Sequence, residues 1–84
     1  MYYVYILQNS KNKKLYIGYT KSIRQRVQEH NIGKTKSTNV AGKWILIYYE
    51  GYRDKRDATQ REWNLKHHGR QRDFLKQSIK YSFE

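Results

Sequence analysis

Three short segments of the chain are dense in aromatic and β-branched residues, and each is too short for a stable helix, which is the pattern of β-strands. These segments are residues 2–7, 15–19 and 44–49. Turn-forming residues occupy positions 9–14, so we predict that residues 2–20 form a β-hairpin. The third segment is apolar at every position, which predicts a strand that is covered on both faces.

A short helix is predicted after the hairpin. Ser22 is a suitable N-cap residue, and Ile23 and Val27 follow it at helical spacing. Gly33 is a suitable stop, which gives a helix of about two turns. The segment 31–43 is polar and shows no period, so we expect a surface loop there.

Two more helices are predicted in the last third of the chain. Asp57 and Gln60 form a start that resembles a capping box, and residues 58–67 contain no helix breaker before Gly69. A last helix is expected over roughly residues 71–79. Its apolar stripe consists of Phe74, Leu75 and Ile79.

The predicted order of elements is β-β-α-β-α-α. This order indicates an α+β protein, in which helices pack on an antiparallel sheet, because a doubly wound parallel sheet would need strict alternation of strands and helices. We find no internal repeat, low-complexity tract or linker, so residues 1–84 are predicted to form a single domain.

Composition suggests a thin core and an anionic partner. Only 17 of the 84 residues are Leu, Ile, Val or Phe, but nine Tyr and two Trp supply large buried areas if they lie together. The formal net charge is +11, and self-repulsion of this size is usually offset by binding a polyanion. Nucleic acid is therefore the expected partner.

Several other classes of protein do not fit the sequence. The longest apolar run is six residues, well short of the roughly 18–20 that a membrane helix requires. The first residues lack the features of a secretory signal, so we expect a cytoplasmic protein without a membrane partner or an organic cofactor. The chain has no Cys, which restricts any metal site to oxygen and nitrogen ligands.

Three polar residues stand at informative positions on the predicted helices. Arg26 and His30 are four residues apart, so they project from one face of their helix and could reach the same bound group. Glu62 lies on the apolar stripe that contains Leu65, where a carboxylate is costly unless it is paired or bound to a metal. An ion pair with a nearby Lys or Arg explains this position as well as a metal does.

Along the first strand, Tyr3, Tyr5 and Leu7 share one face. Such a tyrosine can be a plain core or edge aromatic, or a chemical group. Gly18 in the second strand marks either a bulge or the close approach of another backbone or a ligand.

Taken together, these residues resemble the GIY-YIG endonuclease family, and in particular its small members that consist of the nuclease module alone. The resemblance covers nearly the whole chain and includes the order of elements. Tyr3 and Val4 stand where Gly and Ile give the family its name, whereas the second motif is intact. The matching segments are Tyr3-Val4-Tyr5, Tyr16-Ile17-Gly18, residues 20–26 through His30, and residues 58–62 with Lys66.

The resemblance implies a three-stranded antiparallel sheet with flanking helices and an active face that gathers Tyr5, Tyr16, Arg26, His30 and Glu62. By the same resemblance, Glu62 would hold one Mg²⁺ or Mn²⁺, a hard cation that suits oxygen ligands. Arg26 would grip the scissile phosphate, and His30 would orient a phosphate oxygen or a tyrosine hydroxyl.

A tyrosine would serve as the base, although a phenol ordinarily titrates near ~10. We expect the cationic surroundings to favour the phenolate, and we prefer Tyr5 over Tyr16 for this role. Some members of the family carry an Asn on the final helix, whereas the comparable stretch here reads Arg72-Asp73-Phe74. That polar contact is therefore missing or replaced.

The remaining basic residues are interpreted as contacts to the phosphate backbone. Lys14 could assist near the phosphate or could simply lie in water. His67 and His68 diverge along the helix and are read as cations at a helix end. The predicted nucleic-acid contacts are Lys14, Arg24, Lys34, Lys36 and Lys43.

Two functions compete on this evidence. The first is a divalent-metal-dependent DNA endonuclease, nonspecific or structure-directed, of the DNA repair or recombination type. The second is a non-catalytic basic module that binds DNA or RNA, with the aromatic strands as stacking platforms.

Overall fold

The computed structural model describes residues 1–33 and 42–83. These residues form three strands and three α-helices in the predicted order, followed by a short 3₁₀ turn over Lys80–Ser82. The α+β class is confirmed. The strands are β1 (Tyr2–Asn9), β2 (Leu15–Thr20) and β3 (Trp44–Tyr52), and the helices are α1 (Ile23–Asn31), α2 (Lys55–His67) and α3 (Gly69–Ser78).

The strands form one antiparallel sheet in the order β2-β1-β3. The predicted hairpin of β1 and β2 is confirmed. β1 lies in the centre, and it is buried from Val4 to Asn9. The prediction that the third strand is covered on both faces is wrong, because β3 is an edge strand and Tyr49 on it is 56 % exposed.

A bulge explains why the β3 sequence is misleading. Ile6 pairs with Tyr48 and Leu7 with Leu46, which leaves Ile47 without a partner in the register. The extra residue changes the alternation of faces, so Ile47 and Tyr48 pack on the same side. The uninterrupted apolar run of β3 therefore reflects this bulge and not burial of the strand on two faces.

Each face of the sheet has its own apolar cluster. α2 and α3 cover one face, and α1 covers part of the other, so the core is two thin layers on either side of β1. The first cluster contains Val4, Ile6, Ile17, Ala58, Leu65 and Leu75, and the second contains Tyr5, Leu7 and Trp44 with Tyr16, Val27 and Leu46 packed against them.

Helix α2 begins three residues before the predicted start. Asp54 has an extended backbone and its side chain accepts a hydrogen bond of 2.8 Å from the Arg56 amide, which makes it the N-cap. Asp57 lies inside the first turn, where its negative charge interacts favourably with the positive end of the helix dipole. Several residues near this point could cap a helix, and only the backbone conformation identifies the one that does.

The boundary between α2 and α3 and the face of α3 also differ from prediction. The break is at His68, whose backbone is extended, so Gly69 begins α3 instead of ending α2. Leu75 is buried and Ile79 packs on the first cluster, but Phe74 is 77 % exposed. Phe74 cannot share a face with its neighbour Leu75, because successive helical residues point about 100° apart.

At the start of α1, Ser22 occupies the predicted N-cap position but makes no side-chain capping hydrogen bond. At its other end, Asn31 pairs with Trp44: the Trp44 amide donates to Asn31 Oδ1 at 2.8 Å, and Asn31 Nδ2 donates to the Trp44 carbonyl at 3.0 Å. This side-chain amide therefore ties the end of α1 to the first residue of β3.

The longest helix has 13 residues. Within the part of the chain that the structure describes, none combines the length and the apolar character needed to cross a membrane.

Candidate active site

Three of the five predicted site residues meet inside the protein. The Tyr5 hydroxyl on β1 lies 2.9 Å from His30 Nε2 at the end of α1, and both residues are almost fully buried. The Tyr16 ring on β2 lies over the same imidazole, with ring centroids 4.5 Å apart. The two tyrosine rings are 6.2 Å apart. The hairpin and α1 thus place two phenols against one histidine.

Gly18 makes room for this arrangement. It is the partner of Tyr5 in the register between β1 and β2, and the Tyr5 ring lies across it. A Cβ atom at position 18 would overlap the Tyr5 hydroxyl and the adjoining ring carbon. The register here is continuous, so Gly18 does not mark a bulge, and the group that approaches it closely is the Tyr5 side chain instead of another backbone or a ligand.

Arg26 lies one turn before His30 on α1, as predicted. Its Nη1 atom donates to Glu29 Oε1 at 2.9 Å, and about a third of its side chain is exposed. The guanidinium lines an open hollow of about 410 Å³ together with Lys21 and Ser22. Glu29 was not predicted, although its spacing of three residues from Arg26 is a usual one for a helical ion pair.

Glu62 on α2 forms an ion pair with Lys66, with 3.0 Å between Oε2 and Nζ. The same ammonium lies 6.0 Å from the centroid of the Tyr16 ring, on the edge strand β2. Glu62 is also close enough to Tyr5 for its charge to affect that phenol. The sequence left open an ion pair or a metal for Glu62, and the structure shows the ion pair.

The surroundings of Tyr5 stabilise the neutral phenol. Burial raises the pKa of Tyr5 to about 12, and the nearby Tyr16 and Glu62 act in the same direction. The Arg26 guanidinium opposes them by favouring the phenolate but is outweighed by burial. The expectation that cationic surroundings favour the Tyr5 phenolate is therefore wrong, because the net charge of the chain lies mostly at the surface while this hydroxyl is desolvated.

His30 is held neutral at pH 7. Burial lowers the pKa of its imidazole below the usual 6.5, the Arg26 charge lowers it further, and Glu29 only partly compensates. A neutral imidazole has one acceptor nitrogen. With the proton on Nδ1, Nε2 can accept the hydrogen bond that the Tyr5 hydroxyl donates.

The family follows from comparison with known proteins. The model of the GIY-YIG catalytic domain matches residues 1–76. The chain belongs to the GIY-YIG family. A GIY-YIG domain implies a nuclease, that is, a hydrolase whose substrate is nucleic acid, and nucleases of this family generally depend on a divalent metal.

Relatives place this GIY-YIG domain among the small UPF0213 proteins. It is 38 % identical over 71 residues to a UPF0213 protein of Staphylococcus haemolyticus, covering 83 % of this chain and 85 % of the relative. It is 40 % identical over 67 residues to one of Clostridium perfringens, covering 79 % of this chain and 71 % of the relative. The solution NMR structure of the UPF0213 protein BH0048 from Bacillus halodurans is similar, with a TM-score of 0.58 at 33 % identity, over 95 % of this chain and 86 % of that one.

The donor set of this GIY-YIG domain suits a hard cation with few protein ligands. Among residues 1–33 and 42–83, no three His, Asp or Glu side chains cluster as metal ligands would. Tyr5, Tyr16 and His30 form a cluster of contacting rings, which we call the tyrosine cluster. Glu62 remains as one partly exposed carboxylate near this cluster. Mg²⁺ keeps several waters and is usually bound through one or two carboxylates plus substrate phosphates, so a single Glu fits.

The predicted contacts to the phosphate backbone that fall within the described residues lie at the surface of the protein. Lys14, Arg24 and Lys43 are exposed at the hairpin turn, on α1 and before β3. Lys34 and Lys36 lie outside the described residues. A role of these residues in binding nucleic acid stays a prediction.

His67 and His68 both contact Trp63. His67 Nδ1 lies 2.9 Å from the Trp63 carbonyl, and its ring stacks on the Trp63 indole at 4.5 Å. His68 meets the edge of the same indole. The pair ends α2, in keeping with the interpretation from sequence.

A second carboxylate, Glu50, was missed. It accepts hydrogen bonds from Tyr48 at 2.5 Å, Tyr52 at 2.6 Å and Arg61 at 2.6 Å. Burial alone would raise the pKa of Glu50, but these donors outweigh it and lower the pKa. The alternation Tyr48, Glu50, Tyr52 was a usable signal for a shared face. That face is opposite to Tyr5, so this network joins β3 to α2 outside the candidate site.

Proposed function

We propose that the protein is a divalent-metal-dependent endonuclease that hydrolyses DNA phosphodiester bonds, nonspecific or directed by DNA structure, and that it serves DNA repair or recombination. The observation that supports this most is the contact of Tyr5 and Tyr16 with a neutral His30, bordered by Arg26 and Glu62. These five residues provide an acid–base pair, a phosphate-binding cation and a metal-binding carboxylate within one small region.

Glu62 is the proposed ligand of Mg²⁺ or Mn²⁺. When bound, such an ion neutralises charge on the phosphoryl oxygens and makes a bound water more acidic. Lys66 neutralises Glu62 in the free protein, so the ammonium would be displaced from the carboxylate when the cation binds. Its position over the Tyr16 ring gives it a second favourable contact at the site.

Arg26 is the proposed phosphate-binding group. Its contact with Glu29 uses one guanidinium nitrogen, and a guanidinium carries five N–H donors. The remaining donors can therefore hold a phosphate without first breaking the ion pair. Glu29 raises the pKa of Arg26 further, so the charge is permanent.

Tyr5 and His30 are the proposed proton-transfer pair. A phenol with a pKa of about 12 is protonated at neutral pH, so Tyr5 alone is a poor base. The hydrogen bond to His30 gives its proton a destination: as Tyr5 takes a proton from the attacking water, its own passes to Nε2. Tyr16, in contact with the same imidazole, is the alternative base.

The test is cleavage of plasmid, single-stranded, flap and branched DNA in the presence of Mg²⁺ or Mn²⁺. We expect the wild-type protein to nick at least one of these substrates and Glu62→Gln to lose at least about 100-fold of the rate, because the metal-binding charge is removed. Asp57→Asn, which neutralises an exposed carboxylate in the first turn of the same helix, is the matched control and should cleave like the wild type. Equal cleavage by Glu62→Gln, or no cleavage of any substrate by the wild type, would refute the proposal.

The alternative is a basic module that binds DNA or RNA without cutting it. The ion pair of Glu62 with Lys66 favours it, because a carboxylate that already has a partner needs no metal to explain its position. Binding that is unchanged in Arg26→Ala and Glu62→Ala, with no cleavage under either metal, would support this alternative.

A further inference from the structure

The sheet face that contains Tyr5 continues beyond the area that α1 covers. Tyr3 lies two residues before Tyr5 on β1, and Tyr49 lies directly opposite Tyr5 on β3. Their rings are 6.0 Å apart and meet edge to face. α1 packs through Val27 at the other end of this face, so Tyr49 remains 56 % exposed.

These two rings border an open hollow of about 380 Å³, whose other walls are Lys21, Ser22 and Ile23. Gly51 is the register partner of Tyr3 and lies under its ring, where a Cβ atom would approach the ring to 3.3 Å. The hollow therefore has aromatic walls, a polar side and a volume within the range of small-molecule sites. One nucleobase is a ligand of suitable size and shape for it.

The hollow adjoins the proposed phosphate-binding group. Lys21 and Ser22 also line the larger hollow that contains Arg26, so the two hollows are neighbours on the surface. Tyr3 and Tyr5 are one strand repeat apart, about 6.8 Å along β1. A nucleotide whose phosphate lies at Arg26 can thus place its base against Tyr3 and Tyr49.

An exposed tyrosine at a sheet edge is by itself ordinary. What favours a ligand here is the combination of two aromatic rings, an open hollow and two lining residues shared with the hollow that contains Arg26. Base stacking on aromatic side chains is a general way of binding unpaired nucleotides, and a net charge of +11 suits the attached phosphates.

We propose that Tyr3 and Tyr49 form a stacking site for one unpaired base of the nucleotide next to the scissile phosphate. This inference rests on the proposed function, because it places that phosphate at Arg26. It also narrows the substrate class: a base inside a duplex is covered by its neighbours, so the site favours single strands or locally unpaired DNA.

The experiment measures binding without cleavage. A single-stranded oligonucleotide that contains 2-aminopurine, and the duplex form of the same oligonucleotide, are titrated with the full chain in EDTA. We expect the wild type to change the 2-aminopurine fluorescence of the single strand. Tyr49→Leu, which keeps apolar volume but removes the ring, should weaken binding of the single strand at least about fivefold, the lower end for loss of one base stack, and binding of the duplex by less than about twofold.

Two variants serve as controls. Tyr49→Phe keeps the ring and should bind like the wild type. Tyr81→Leu makes the same change at a tyrosine that is 91 % exposed after α3, beyond the helix that packs on the opposite face, and should also bind like the wild type. Thermal unfolding of each variant shows that it is folded before its affinity is compared, and Tyr3→Leu is the second test of the same site.

Equal binding of the single strand by wild type and Tyr49→Leu, or an equal loss for single strand and duplex, would overturn the inference. A chain that stacks the base but cleaves nothing with Mg²⁺ or Mn²⁺ would refute the nuclease proposal and leave the base site standing. Cleavage by the wild type, together with unchanged affinity in Tyr49→Leu, would refute the base site and leave the nuclease proposal standing. The two failures are therefore distinguishable.

Discussion

At the scale of single residues, the candidate site depends on a glycine, whose lack of a side chain leaves space for a neighbouring ring. Tyr5 reaches His30 because Gly18 on the neighbouring strand leaves the space in which its ring lies. The buried hydroxyl then has one close polar neighbour in the imidazole and one in the Arg26 guanidinium. The position of the Tyr5 hydroxyl, the proposed proton-transfer group, thus depends on a residue that contributes no functional group.

Gly18→Ala tests this dependence. The added methyl group would overlap Tyr5, so we expect the variant to lose about 1–3 kcal/mol of stability, a usual cost of overpacking, together with any cleavage activity. Gly69→Ala is the matched control, because its Cβ atom would meet only Arg72 Nη2 at an ordinary 3.5 Å and α3 gains a better helix former. Urea denaturation of both variants checks the prediction, and equal stability of the two would contradict it.

The lowered pKa of His30 predicts that the protein loses stability in mild acid. Its pKa is lower in the folded than in the unfolded chain, so below about pH 6.5 the unfolded state binds more protons. The free energy of unfolding should therefore be at its full value above pH 6.5 and fall as the pH drops toward 5, by less than about 1.4 kcal/mol per pH unit. Glu50, whose pKa is lowered, adds acid sensitivity only below about 4.5.

Urea denaturation at pH 7.5 and 5.5 measures this effect. His30→Asn should show a smaller difference between the two pH values than the wild type. His68→Asn, which alters an exposed histidine, should keep the wild-type difference. The same pH dependence in all three proteins would show that His30 is not its source.

At the scale of secondary structure elements, the network around Glu50 joins β3 to α2. Glu50 and Arg61 are each only partly exposed, and Arg61 also donates to Gln71 on α3 at 3.3 Å. This connection fixes α2 against the outer strand, and α2 carries Glu62 one residue after Arg61. The helix that carries Glu62, the proposed metal ligand, is thus positioned by contacts on the face of the sheet opposite to Tyr5.

Arg61→Ala should reduce the free energy of unfolding by about 2 kcal/mol, because it leaves the Glu50 carboxylate without its cation. Partial contact of both side chains with solvent keeps this below the cost for a fully buried pair. Arg56→Ala breaks the corresponding but exposed pair with Asp54 and should leave stability nearly unchanged. Thermal or urea unfolding of the two variants compares them, and a larger loss in Arg56→Ala would contradict the argument.

The elements were largely predictable because their patterns are local. The strands, the hairpin and the start of α1 follow from apolar runs, turn residues and Ser22. The burial of β3 and the exposure of Phe74 were mispredicted, because a bulge and the packing of helix faces depend on contacts between distant segments. The start of α2 at Asp54 was missed because sequence alone does not choose between neighbouring capping residues.

At the scale of the whole molecule, the net positive charge does not decide the pKa of the buried Tyr5 hydroxyl. The resemblance to the family implied that Tyr5, Tyr16 and His30 belong together, and the structure brings them into contact. The sequence did not indicate that burial would outweigh the cationic charge at Tyr5, because desolvation depends on packing and not on composition. The charge of +11 remains available for attracting a polyanion.

Salt dependence of DNA binding tests this use of the charge. If about five phosphates are contacted, log K should fall against log salt with a slope near −4.5 for duplex and about −3.5 for a single strand. Fluorescence titrations at several salt concentrations in EDTA measure both slopes. A flat response would show that the charge is not used for phosphate binding.

The pairing of Asn31 with Trp44 has a consequence for how this fold can change over evolution. The Asn31 side-chain amide bonds both the amide and the carbonyl of Trp44, so the last turn of α1, with His30, is tied directly to the first residue of β3. Loop closure costs little more as a loop grows. The connection between these two residues can therefore lengthen, shorten or acquire new recognition residues while the distance from His30 to Tyr5 stays the same.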